Sequence, residues 1–291
     1  MTAPGRVLVT GAFGMIGTAV VDTLLARGVA VSALAVARPE PEVAARVDRV
    51  FVGDAGDVDL VRAALADVDA VVHLAALPSP DHAPAVEVFA GNTRATFAVL
   101  DEAGRAGVRR AVIASSYSIL GLPWAARPLH PPYFPIDLDT PLQVEDPYGL
   151  SKQADEATAR MVGRRYGTDV VALRFPFVGG AERIARRLRM TLEDPAVAAS
   201  ESWAYLDVRD AAEVTWLALT APVTGVHTLF VAAPEILAPQ PTEELIRTHH
   251  PDSEIRGSIP GRTTPLDLEP ARRLLGFTAR HVAEVEPAPL S

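Results

Sequence analysis

The chain has 291 residues, 49% of them apolar and 22% charged, with a formal net charge of −9. That length suits one large α/β domain or a core with an appended lobe, and the apolar share excludes wholesale disorder. The acidic balance argues against nucleic acid or anionic lipid as a partner, no apolar run approaches the roughly 20 residues of a membrane helix, and the lack of any cysteine excludes disulfides, thiolate metal sites and a cysteine nucleophile.

From Met1 to Arg6 the chain runs almost at once into a strand-like segment, so no signal peptide is expected and a soluble cytoplasmic protein is the reading. Arg6 to Thr10 is a short apolar run closed by Gly11, a buried strand. Gly14 to Gly28 carries Ile16, Val20, Leu24 and Leu25 at helical spacing and ends on glycine. Strands are predicted at 29–34, 50–52, 70–74 and 110–114, with helices at 58–65 and about 86–107 between them. This alternation points to an α/β fold with a doubly wound parallel sheet of the Rossmann kind. Residues 121–147 are Pro-rich and irregular, a long loop of the sort usually kept for binding. A helix over 147–166, capped by Asp146 and opened by Pro147, precedes a sixth strand at 169–173. Beyond Arg174 the alternation breaks down into short helices at about 181–190, 208–219, 242–248 and 270–275, with weak strands near Trp203 and Thr228. We expect a binding core over residues 1–175 and a small substrate lobe over 176–291 that shares elements with it.

Three motifs carry chemistry. The first is Thr10-Gly-Ala-Phe-Gly-Met-Ile-Gly17, between the first strand and the first helix. Gly11 permits a tight turn, Gly14 lets backbone approach a pyrophosphate, and Gly17 lets the helix pack on the strand. Strand before and helix after are the context that gives such a glycine trio meaning, and a dinucleotide site is expected. The second is Tyr148-Gly-Leu-Ser-Lys152. Residues i and i+4 share a helix face, so phenol and ammonium point into one space, and an ammonium favours a phenolate. Lys152 is the only lysine among 27 basic residues, which sharpens the coincidence. The third is Ser115-Ser116 at the end of the fifth strand, on the side where open parallel sheets bind ligands.

Together these motifs resemble the short-chain dehydrogenase/reductase superfamily in its extended, epimerase/dehydratase-like branch, strongly over Arg6 to Arg174 and weakly beyond. The resemblance implies that Gly11, Phe13, Gly14, Met15, Ile16 and Gly17 surround the cofactor pyrophosphate. It implies that Asp54 contacts the adenine, and that Leu74, Ala75 and Ala76 lie along the cofactor in the run Val72-His-Leu-Ala-Ala76. Asn92 is similar to a structural or cofactor-side residue of the branch. Ser116, Tyr148 and Lys152 match the catalytic trio. Tyr148 would be the acid/base, Lys152 would assist it and bind the nicotinamide ribose, and Ser116 would hold the reacting oxygen. Leu77, Ser116, Tyr117, Phe177 and Trp203 are the expected substrate-side residues. Relatives of the branch pair through their two long helices, so a homodimer is implied.

Two departures from the branch matter. Many relatives end their second strand on an acidic residue that binds the adenosine ribose, whereas this chain has Ala35 there and Arg38 nearby. The cofactor is therefore expected to be NAD(P), with NADP slightly preferred over NAD, and Arg38 is a candidate for its 2′-phosphate. Members acting on nucleotide-diphosphate sugars carry an Asn and an Arg where this chain has Phe177 and Trp203, and losing those polar contacts removes partners a buried diphosphate needs. Arg183, Arg186, Arg187 and Arg189 are candidates for an acidic group, although such spacing more often makes a solvated helix face. His73 reads as a core or cofactor-wall residue. The adjacent His249 and His250 point apart on any regular element, so no metal site is expected. The function read from all this is an NAD(P)-dependent oxidoreductase moving hydride to or from a secondary alcohol or carbonyl of a small polar substrate: a sugar, sugar acid or natural-product intermediate. The alternatives are a sugar or nucleotide-sugar epimerase or dehydratase that recycles its cofactor, and a nucleotide-sensing regulator without catalysis.

Overall fold

Alternate residues of each apolar run face opposite sides of a sheet, and here both sides are covered. In the computed structural model, which describes residues 3–288, the elements in chain order are β1 (Arg6–Thr10), α1 (Met15–Ala26), β2 (Ala30–Ala35), α2 (Pro41–Ala44), β3 (Arg49–Val52), α3 (Val58–Ala64), β4 (Ala70–His73), α4 (Ala85–Arg105), β5 (Arg110–Ser116), β6 (Tyr133–Phe134) and α5 (Pro147–Tyr166). There follow β7 (Asp169–Phe175), β8 (Phe177–Gly179), α6 (Ala181–Glu193), β9 (Tyr205–Asp207), α7 (Val208–Thr220), β10 (Val226–Phe230), α8 (Thr242–His249), β11 (Glu254–Ile255) and α9 (Glu269–Leu275). The expectation of no leader at Met1 falls outside the described residues.

Seven strands form one parallel sheet in the order β3-β2-β1-β4-β5-β7-β10. Val7 and Val9 of β1 and Val72 of β4 pack with α1, α7 and α9 on one face, whereas Leu8, Val71, Ala111 and Ile113 pack with α3, α4 and α5 on the other. The strand order reverses between β1 and β4, which opens a crevice at their carboxyl ends. That crevice lies where the glycine turn leaves β1.

Two segments differ from the sequence expectation. The weak strand near Thr228 is β10, the edge strand of the main sheet, in register with β7 from Val226↔Val170 to Phe230↔Arg174. Its Val-His-Thr-Leu-Phe sequence reads poorly because an edge strand is buried on fewer sides, and only its pairing with β7 defines it. The Pro-rich stretch is not simply an open loop. Leu122, Phe134 and Ile136 join Trp203, Phe230, Leu245 and Ile246 in a second, smaller core, and β6 pairs with β11. Fully burying a side chain such as Phe134 contributes roughly 1.5–3 kcal/mol, which fixes this segment as a wall beside the crevice. Among the described residues no helix is long and apolar enough to cross a membrane.

Candidate active site

The turn after β1 is built around backbone that allows no side chain. Gly11 has φ +66°, and a Cβ there would lie 2.9 Å from the backbone of Leu74 and Ala75. A Cβ at Gly17 would lie 2.1 Å from the Gly11 carbonyl oxygen, so only glycine lets α1 sit this close to β1. Gly14 caps α1 without any side-chain hydrogen bond to its first turn. The first-turn amides of α1, at Met15, Ile16 and Gly17, have no intrahelical acceptor and lie at a cleft lined by Gly11, Gly14, Met15, Ile16 and Gly17, a donor set that suits a pyrophosphate. The same cleft, about 600 Å³, is also lined by Leu74, Ala76, Ser116, Tyr117, Tyr148, Lys152 and Phe177.

Tyr148 and Lys152 lie on the first turns of α5, whose cap is Asp146 accepting from the Gly149 amide at 2.8 Å. Lys152 Nζ sits 5.7 Å from the centre of the Tyr148 ring. The ammonium donates to the Ala114 carbonyl at 3.0 Å and to Asp155 Oδ2 at 3.1 Å. Burial weighs against this ammonium, yet Asp155, Tyr148 and Glu156 outweigh burial and hold Lys152 above the ordinary lysine value. Ser116 ends β5; its Oγ accepts from the Ser118 amide at 3.0 Å, which leaves its own O–H free to donate. Ser115 is turned the other way in function. It donates to Glu156 Oε1 at 2.7 Å, and Glu156 holds Arg174 in a two-point ion pair at 2.9 and 3.0 Å. That buried network ties α5 to β5 and β7.

Thr10 of β1, His73 of β4 and Thr96 of α4 form a buried hydrogen-bonded chain. His73 Nδ1 lies 2.8 Å from Thr10 Oγ1 and Nε2 lies 3.0 Å from Thr96 Oγ1. Burial, assisted by the charge of Lys152, pushes the imidazole down to about 3, so His73 is a neutral strut. Asn92 is also a strut: its amide pairs with both the N–H and C=O of Leu77 at 2.8 and 3.1 Å and donates to Ser151 Oγ at 3.1 Å. It ties the segment after β4 to α5.

The structure does not bring every expected residue to the cleft lining. Trp203 is 1% exposed inside the lobe core, with its indole N–H donating to the Pro195 carbonyl at 2.8 Å. Phe13 and Ala75 pack against the sheet cores, and Leu77 is held by Asn92 with Pro78 and Ser79 reaching the cleft instead. Asp54 pairs with Arg94 and accepts from the Gly56 amide at 2.7 Å, and Arg38 is exposed beyond β2. Tyr117 lines the cleft, but its hydroxyl is committed to Ser202 Oγ at 2.7 Å and burial raises it well above the ordinary phenol value. His250 lies against the Ala199 carbonyl, Nε2 at 2.9 Å, and against His130 Nδ1 at 3.0 Å; burial lowers it to about 4.

Other side chains reach the cleft that the sequence reading did not single out, or set aside. Ser79, His82, Ser118, Trp124 and Glu201 line it, as do Arg183 and Arg187 of α6, whereas Arg186 and Arg189 do not. The i,i+4 spacing that puts Arg183 and Arg187 on one face was the available signal; only the docking of α6 shows that this face looks inward. Burial raises the Glu201 carboxyl against the pull of Arg187 and Arg183.

A parallel sheet with a glycine turn at its crossover and a Tyr–Lys pair beside it defines a dinucleotide-binding protein of the short-chain dehydrogenase type. The chain belongs to the NAD dependent epimerase/dehydratase family, whose model matches residues 7–233. It is 33% identical over 63% of its length to UDP-glucose 4-epimerase of Azospirillum brasilense, and spans about half, 52%, of that relative. It is 34% identical to a 3-diazoavenalumate denitrifying reductase of a Streptomyces species, over 95% of this chain and 89% of the relative. Among solved structures, it resembles a short-chain dehydrogenase/reductase superfamily protein from Agrobacterium tumefaciens with bound NAD. That match has a TM-score of 0.70 and 27% identity, covering 95% of this chain and 93% of the other.

Proposed function

We propose that the protein is an NAD(P)-dependent oxidoreductase that moves hydride to or from a carbonyl or alcohol carbon of a small substrate. The observation that carries this reading is the Tyr148–Lys152 pair, with its buried ammonium, beside Ser116 in the same cleft as the glycine turn. The nicotinamide, when bound, supplies or accepts the hydride. Ser116 donates its hydroxyl proton as a hydrogen bond to the reacting oxygen, and Tyr148 gives or takes that oxygen's proton, so charge on oxygen never stands alone. Lys152 steadies the phenolate and would also hold the nicotinamide ribose. The pyrophosphate is held at the glycine turn by the first-turn amides of α1. Because β2 ends on Ala35 without a carboxylate, NADP binds somewhat better than NAD, with Arg38 meeting the 2′-phosphate. The chain works as a homodimer through α4 and α5; Phe89, Phe97 and Leu150, large apolar side chains left exposed on these helices, support this.

The similarity to a reductase along 95% of the chain supports net oxidation or reduction. The likeness to UDP-glucose 4-epimerase favours a second reading, an epimerase that returns the hydride to the same molecule. The two separate in one experiment: purify the protein without added nucleotide, denature it, and identify any dinucleotide released by mass spectrometry. An empty protein that takes up NADH or NADPH reversibly supports the oxidoreductase. Stoichiometric, tightly held NAD overturns it in favour of the epimerase.

A further inference from the structure

The substrate end of the cleft carries a charge imbalance. Arg183 and Arg187 both place their guanidinium carbons over the Phe177 ring, 4.8 and 4.4 Å from its centre. Arg187 Nη1 is paired with Glu201 Oε2 at 2.7 Å. Arg183, by contrast, makes no hydrogen bond or close ion pair among the described residues; it acts on Glu201 only through its charge, and its side chain borders the open cleft. Lys152 at the other end is balanced by Asp155. Two guanidinium groups against one carboxylate leave a surplus of one positive charge, which complements a single carboxylate and under-neutralises a diphosphate.

The rest of this end is poor in free hydrogen-bonding groups. Phe177, Trp124, Pro78 and Pro123 form much of the lining. The Tyr117 hydroxyl is paired with Ser202, and Ser79 with His82 Nδ1 at 2.7 Å, so Ser118 and His82 Nε2 are the neutral groups that remain beside Ser116 and Tyr148. A polyhydroxylated sugar would bury more hydroxyls than these few groups can pair, at a cost for each one left over. A flat apolar body would instead lie against the Phe177 and Trp124 rings.

We propose that this cleft takes a flat monocarboxylic acid with an aromatic or conjugated body. Its carboxylate binds the guanidinium of Arg183, and its hydride-exchanging carbon lies at Ser116 and Tyr148. This rests on the hydride-transfer reading for the second anchor point, but not for the first.

The test uses the full chain loaded with NAD, which cannot reduce a ketone, so that binding is read alone. The probes are 4-acetylbenzoate, its methyl ester, glucuronate and UDP-glucose, measured by calorimetry. The acid is expected to bind roughly 10- to 100-fold tighter than the ester, the range for one charge-assisted contact. Arg183→Gln abolishes that ratio while the ester still binds as before, and a retained melting temperature shows that the variant is folded. Equal binding of acid and ester, no saturable binding of the acid, an unchanged ratio in Arg183→Gln, or tighter binding of glucuronate or UDP-glucose overturns the proposal. A parallel NADH oxidation assay with 4-acetylbenzoate separates the two readings. Carboxylate-selective binding without any NADH oxidation would count against the hydride-transfer function and leave the acid site standing. Oxidation of NADH by acid and ester alike would do the reverse.

Discussion

Asp155 is the residue whose removal most directly tests how this site works. It lies three residues after Lys152 on α5, fully buried, with Oδ2 at 3.1 Å from the ammonium. The ammonium in turn lies 5.7 Å from the Tyr148 ring centre. The two legs put the carboxylate at most about 9 Å from the ring centre, and at an effective dielectric near 20 its negative charge opposes a phenolate by roughly 2 kcal/mol. In Asp155→Asn that opposition is gone while Lys152 keeps its contact with the Ala114 carbonyl. The pH–rate profile for NADPH-linked turnover should therefore move toward acid by about one unit. The variant should also lose stability, because a buried cation has lost its partner: about 3–5 kcal/mol, or a melting temperature lower by roughly 6–10 °C for a chain of this size. The assays are kcat against pH from 5 to 10 (about the useful range of the coupled chemistry) and a thermal melt at pH 7. A profile that superimposes on wild type, or moves toward alkali, would refute the reasoning. The second outcome would mean that the unpaired Lys152 gives up its proton.

Other predictions follow from neighbouring features. Tyr148→Phe should lower turnover by about 10²–10⁴-fold and leave NADH binding, read by fluorescence quenching, intact. Gly17→Val drives a side chain into the Gly11 carbonyl, so dinucleotide binding should be lost in titration even where the circular dichroism spectrum is retained. His73 has a folded value of about 3 against an ordinary 6.5; between those values the unfolded chain binds a proton that the folded chain does not. Stability is therefore full above about pH 6.5 and falls by about 1.4 kcal/mol per pH unit on acidification, and urea melts of His73→Gln should show a shallower decline between pH 6.5 and 4.5. Light scattering should give a dimer for the wild type, and Phe97→Glu, on the outer face of α4, should give a monomer; a monomeric wild type would defeat the dimer reading.

Much of the fold was legible because its signals are local. Apolar runs of four to seven residues alternating with helical periodicity indicate a doubly wound parallel sheet, because strands covered on both faces need both faces apolar. The glycine turn and the Tyr148–Lys152 spacing are likewise local, since a tight turn and a shared helix face depend on a few adjacent residues. Asp146 was readable as a cap for the same reason.

What the sequence alone could not decide depends on which distant residues meet. Ser115 and Ser116 are adjacent and chemically alike, yet Ser115 is drawn to Glu156 of α5, leaving the free hydroxyl of Ser116 for the cleft. Trp203 carries no mark that sends it to the lobe core, where Pro195 takes its N–H. Arg183 and Arg187 look the same on a helical wheel as Arg186 and Arg189; the docking of α6 behind Phe177 makes one pair part of the cleft. Periodicity specifies a helix face, but the direction of that face is set by long-range packing, which no short window of sequence contains.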